Sequence, residues 1–132
     1  MKYVGKSITR IDAVEKVLGI AEYVSDIELP GMLYAKLLLS PHAHAKIKSI
    51  NYGKALRVPG VVSVAVGDDF PFRVGLYVND RNILARKKVR WVGEPVAAVV
   101  AEDLEAAEEA VELIEVEYEP LPAVLDVREA LK

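Results

Sequence analysis

A chain of 132 residues with 52% hydrophobic and 28% charged side chains is long enough to bury one core, and its net charge of −3 lacks the basic footprint of a nucleic-acid binder. Cysteine is absent, which excludes disulfides, thiolate metal sites, cysteine nucleophiles and iron–sulfur ligation by these residues together. The longest apolar runs are strand-sized and the N-terminus carries no signal-peptide pattern, so the sequence reads as one soluble, cytoplasmic domain over residues 1–132 without a membrane span.

Taken in chain order, the elements alternate without a repeat or a linker. Asp12 with Glu15 three residues later forms a capping-box pattern and Gly19 a stop, predicting a short helical turn over "RIDAVEKVLG". "AEYVSDIELPG" reads as a strand running into a turn at Pro30 and Gly31. "MLYAKLLLS" and "KIKSIN" predict two strands around the segment that holds both histidines. One helical turn in "YGKALRVPG", ended by Pro59 and Gly60, leads into the β-branched strand "VVSVAV". Residues 67–82 are an irregular stretch of Asp, Gly, Pro and Asn, and Arg86, Lys87, Lys88 and Arg90 then read as a solvated strand edge.

The second half has stronger periodicity. "VRWVGEPVAAVVA" reads as a strand, a tight turn at Gly93–Glu94–Pro95, and a second strand. Leu104, Ala107, Val111 and Ile114 fall at helical spacing behind a capping Asp103, predicting one main amphipathic helix over about residues 103–113. The period then switches to two in "IEVEYE", with Ile114, Val116 and Tyr118 on one face and Glu115, Glu117 and Glu119 on the other. Asp126 and Glu129 predict a final capped turn. Helices and strands mix without a βαβ rhythm, so the expected class is α+β with a mixed or antiparallel sheet.

Few chemistries fit this set. "GKS" at Gly5–Ser7 lacks the upstream glycine of a phosphate loop, "GxSxG" does not occur, and the glutamates of the main helix form a stripe, as a solvated face does. His42 and His44 are the sharpest candidates, because an H-x-H pair on a strand can chelate a metal from one face. Such a site needs at least one further ligand, which in this chain must come from Asp or Glu. The alternative is structural: one imidazole satisfies a buried partner where two strands meet, and Pro41 fixes the entry.

The neighbours of that pair carry more information. Arg10-x-Asp12, Lys16, Gly19-x-Ala21-x-Tyr23, Asp26, "LPGMLYA", "SPHAHAKI", "PGVVSV", "VGEPVAAVVAED", "AAEEA" and "IEVEYEPLPAV" follow in an order that resembles the a/b hammerhead domain of the aldehyde oxidase and xanthine dehydrogenase family, over about residues 4–128. That family of molybdenum hydroxylases includes the aerobic carbon monoxide dehydrogenases.

The resemblance implies an α+β hammerhead fold serving as a structural and assembly unit within the large chain of an oxidoreductase acting on aldehydes, heterocycles or carbon monoxide. It further implies that molybdopterin-molybdenum, iron–sulfur centres and FAD belong to the holoenzyme, with no cofactor bound by this chain alone. The expected partners are the molybdopterin-binding domains of the large subunit and an iron–sulfur subunit, and no catalytic residue carries over. What matches the family is structural: Arg10, Asp12, Gly19, Gly31, Pro41, His42, His44, Gly60, Gly93 and Pro95. Arg10 and Asp12 read either as a charge-paired anchor or as a solvated pair worth under ~1 kcal/mol. Leu18 stands where threonine is common and Lys46 where arginine is, and lysine lacks the planar fork for a bidentate contact. A stand-alone binding module with the same fold is the alternative. The absence of glutamine and the scarcity of asparagine suit a heat-adapted source.

Overall fold

The strand-forming runs build two three-stranded antiparallel sheets. Residues 2–131 are described by the structure, a computed structural model. Sheet A has the order β1-β5-β3, from Tyr34–Leu39 (β1), Pro95–Ala101 (β5) and Val61–Val66 (β3). Sheet B has the order β4-β2-β6, from Lys88–Val89 (β4), Ala45–Asn51 (β2) and Glu115–Pro120 (β6). The helices are α1 (Ala13–Leu18), α2 (Leu104–Glu112) and α3 (Val127–Ala130). This is the expected α+β class with one main helix.

Contacts divide the chain into two compact units, Met1–Met32 and Leu33–Lys132. In the first, no described residue is buried. Its helix α1 ends at Gly19, whose φ of 70° is the left-handed conformation that glycine adopts without a Cβ penalty, and the Gly19 N–H donates to the Lys16 carbonyl. The expected capping box does not form, because the Asp12 carboxylate is taken by Arg10 and Lys16. Nor does "AEYVSDIELPG" form a strand. Val24–Asp26 is a 3-10 turn, closed by the Asp26 carboxylate accepting from the Tyr23 N–H at 2.9 Å. An acidic side chain placed to cap its own backbone overrides the β propensity of Tyr23 and Val24.

In the second unit, β5 is the centre of sheet A. Ala97, Val99 and Ala101 are fully buried against Ala106, Ala107 and Ala110 of α2, with Val58 and Ile114 closing the cluster. Alanine on both sides lets the helix lie close to the sheet. Asp103 caps α2 as expected, accepting from the Ala106 N–H at 2.7 Å. Leu104, expected on the apolar face, is instead 46% exposed, and Ala106 and Ala110 are buried in addition to Ala107. A second cluster of Ala45, Ala85, Val89 and Val96 joins sheet B to β5, and Ile50 and Val116 pack against both clusters.

The irregular stretch 67–82 contains a 3-10 turn, Gly67–Asp69, and an antiparallel bridge between Val74 and Arg81. Gly67 is required there because a Cβ would overlap the Ala85 carbonyl. The basic run 86–90 does contain an edge strand, β4, as its composition predicts.

On sheet B, the period-two reading of residues 114–119 holds. The glutamates face lysines across the strands: Glu119 pairs with Lys46 and Lys48, and Glu115 with Lys54. The bonds from Lys48 and then Lys46 hold the Glu119 carboxyl below its ordinary range, while Glu119 raises Lys48. A depressed carboxylate contributes stability above its unfolded-state pKa and loses it as pH falls through the folded value, whereas a raised lysine loses its contribution as pH rises through its folded value. We therefore expect an NMR titration to place the Glu119 midpoint below that of a free glutamate, and Lys48→Met to move it upward. In urea, Asp103→Ala should cost about 1 kcal/mol through the lost cap.

Candidate functional site

The segment 40–44 is where the chain leaves β1 in sheet A for β2 in sheet B. Residues 90–94 make the reverse passage, from β4 in sheet B to β5 in sheet A, so the turn at Gly93–Glu94–Pro95 joins two sheets and closes no hairpin. The two passages are tied to each other: the Ser40 N–H donates to the Glu94 carbonyl at 2.9 Å, and the Gly93 N–H donates to the Ser40 carbonyl at 2.8 Å. Gly93 has a φ of 86°, the left-handed conformation that this return requires.

Two polar side chains are buried at this junction, Ser40 and Glu94. The Ser40 hydroxyl donates to the His42 carbonyl and accepts from the His42 N–H, both at 3.1 Å, closing a tight turn around Pro41. The Glu94 carboxylate accepts from the Arg90 N–H and lies 3.7 Å from the Arg90 guanidinium, so the second passage is fastened by its own ends. Neither buried group lacks a partner, and such groups specify one arrangement of the chain.

The two histidines have separate duties. The His42 ring meets Tyr118 of β6 edge to face, with centroids 4.8 Å apart. Burial raises the Tyr118 hydroxyl above its ordinary value, opposed by a hydrogen bond with Ser40. His44 Nδ1 lies 2.7 Å from the Pro122 carbonyl, which makes Nδ1 the protonated nitrogen, and the Leu121 N–H donates to the His44 carbonyl at 2.9 Å. Among the described residues, no group of three or more His, Asp or Glu side chains could hold a metal ion.

Beside His44 lies an open cleft of about 460 Å³, lined mainly by apolar groups of Ala43, Trp91, Val92, Pro122 and Leu125. Among the described residues that line it there is no Asp, Glu, Ser or Thr side chain. The other expected motif residues lie elsewhere. Arg10 grips Asp12 with two bonds of 3.0 and 2.9 Å, and Lys16 reaches the same carboxylate at 2.6 Å. Together Lys16 and then Arg10 hold Asp12 below the ordinary carboxylate range. Gly31 and Gly60 sit in turns at φ of 75° and 85°, and a Cβ on Gly60 would press on Asp103 and Ala106 at 3.3 and 3.4 Å.

Residues 18–122 match the model of the aldehyde oxidase and xanthine dehydrogenase a/b hammerhead domain. The chain belongs to this family. It is 41% identical to one subunit of a probable xanthine dehydrogenase of Bacillus subtilis over 96% of its own length, and 39% identical to the carbon monoxide dehydrogenase large chain of Afipia carboxidovorans over 93%. Among solved structures it superposes on the carbon monoxide dehydrogenase of Oligotropha carboxidovorans with a TM-score of 0.87, at 39% identity over 96% of the chain. Quinoline 2-oxidoreductase of Pseudomonas putida gives the same TM-score at 38% identity over 97%. The chain spans only 17% and 16% of the length of the two curated relatives, and 16% and 18% of the two solved chains.

The hammerhead fold explains what sequence reasoning missed. Neither Ser40 nor Glu94 drew attention as a buried polar residue, although a serine before proline and a glutamate after a turn glycine were visible in both motifs. Their function in the fold shows only when the two passages are seen side by side. Ser40→Ala should cost about 1–3 kcal/mol in denaturant unfolding, because it strips the turn of both bonds.

Proposed function

We propose that this chain is the structural and assembly unit of a molybdenum hydroxylase large subunit, and that the catalytic groups are supplied by molybdopterin-binding domains and an iron–sulfur subunit onto which it docks. The substrate class of the whole enzyme, aldehyde, heterocycle or carbon monoxide, is set by those other parts, and in our reading molybdopterin, iron–sulfur and flavin groups all lie outside residues 1–132. The ten motif residues serve as turns and ties of the fold. A soluble, cytoplasmic enzyme fits this reading, and among the described residues no helix is long and apolar enough to cross a membrane.

One observation carries the proposal. Residues 2–32 bury no side chain, yet they present Ile11 at 103%, Val17 at 86% and Val24 at 88% exposure, and the final segment presents Leu125 at 87%. Apolar exposure on this scale marks a surface that another polypeptide surface covers. A self-contained binding module would instead close these surfaces and keep a ligand pocket, for which the apolar cleft beside His44 is the best feature.

The two readings differ in measurable ways. The isolated chain should bind an environment-sensitive apolar dye strongly, and a complex isolated through this chain should carry molybdenum and iron in fixed proportion and bind less dye per chain. Isolation of the chain as a monomer, free of both metals and with weak dye binding, would favour the module. In that case His42→Ala with His44→Ala tests the cleft: unchanged ligand binding would remove its best support.

A further inference from the structure

The segment 74–81, which no motif of the family match explains, forms a short hairpin. Val74 and Arg81 exchange two backbone bonds, 2.8 and 3.1 Å, and Asp80 N–H donates to the Val78 carbonyl at 2.9 Å. A Cβ on Gly75 would overlap the Val78 carbonyl oxygen, so the tip is tightly folded. That tip presents three apolar side chains to solvent, Leu76 at 88%, Tyr77 at 94% and Val78 at 67%.

The base of the hairpin is cationic. Arg73, Arg86, Lys87 and Arg90 line one cleft with Asn82, and Arg81 lies in an adjoining cleft with Trp91 and Arg90. The ion pairs formed in this region are Arg86 with Asp68 and Arg90 with Glu94. Asp80 and Glu94 line the second of these clefts as well, so the collar at the base of the apolar tip keeps an excess of cations over acids on a chain whose net charge is −3. Trp91 in that collar is 43% exposed.

We infer that the 74–81 hairpin docks into an apolar pocket rimmed by carboxylates on a second subunit. Tyr, Trp and Arg are the residues that dominate the energy of protein interfaces, and all three meet here around a preorganised loop. Charge complementarity specifies the partner's rim: Arg73, Arg81 and Lys87 form no ion pair among the described residues, and such cations speed encounter with an acidic surface and repel a basic one. A free anion would engage the collar alone and leave the apolar tip without a use. The inference rests on the assembly role proposed above, and names the chemistry of one of its contacts.

The test is zero-length cross-linking of the native complex, isolated through a tag on this polypeptide. A water-soluble carbodiimide activates a carboxylate, and the Lys87 amine displaces the activated group to leave an amide with no spacer. We expect peptides joining Lys87 to an Asp or Glu of a second subunit. We also expect Arg73→Glu with Arg81→Glu, both exposed positions, to weaken the retention of that second subunit at least about tenfold, with unchanged circular dichroism. Links only to another part of the same polypeptide would overturn the inference, as would a Lys87 that forms no link and stays open to acylation in the complex. Unaltered retention of the charge-reversed variant would also overturn it. Metal analysis of the same sample separates the two claims, since a Lys87 link in a complex without molybdenum would sink the assembly role in a molybdenum enzyme and leave the docking surface standing.

Discussion

The constraint on which the second unit depends is the mutual fastening of the two passages between its sheets. Each sheet contains strands from distant parts of the sequence, so neither β1 and β2 nor β4 and β5 are paired, although each pair is consecutive. The backbone bonds between Ser40 and Gly93–Glu94 fix both passages at one point. From there β5 is delivered to the middle of sheet A and β2 to the middle of sheet B. Loss of that junction would free the central strand of each sheet at once. The buried Ser40 hydroxyl and Glu94 carboxylate therefore serve position, and a buried, satisfied polar group is suited to that because an alternative arrangement leaves it unpaired.

This arrangement also accounts for the histidines. An H-x-H pair can be read as a chelate when it is taken to lie on a strand, but both histidines sit in the bend that precedes β2. In the fold they look to different neighbours, His42 to the Tyr118 ring and His44 to the Pro122 carbonyl. Both neighbours belong to the stretch 118–122, so the histidines fasten β6 and the segment after it to the junction. The imidazoles thereby link the sheet to the cleft wall.

Local periodicity made much of this legible. The alternation in 114–119, the cap of α2 and the glycine stop of α1 are signals contained within a few residues, and each matches its element. Partner choice is a different kind of information. The sequence around Gly93 shows two strands and a turn, and nothing within those residues says that β4 finds β2 while β5 finds β1 and β3. Residues 21–31 failed for the opposite reason: Tyr23 and Val24 favour a strand, but among the described residues their own unit contains no strand, and Asp26 offers the backbone a local substitute. Arg10 and Lys16 likewise compete with the helix for Asp12, a competition that spacing alone does not rank.

The distribution of charge gives the exposed apolar surface its meaning. Where sheet B faces water, the sequence alternates strictly and sets Glu119 against Lys46 and Lys48, with Glu117 accepting from Ser49. On sheet A, Lys36 of β1 reaches Glu108 of α2 across the rim of the core. Each of these exposed pairs contributes little energy singly, but together they keep strand faces and edges unattractive to other strands. The apolar side chains left open in residues 2–32 and in 124–131 lie outside the regular strands and away from that protection. Since the relatives continue for more than four-fifths of their length beyond the matched region, those surfaces are, in the proposed assembly role, the places where a hammerhead unit meets the rest of its enzyme.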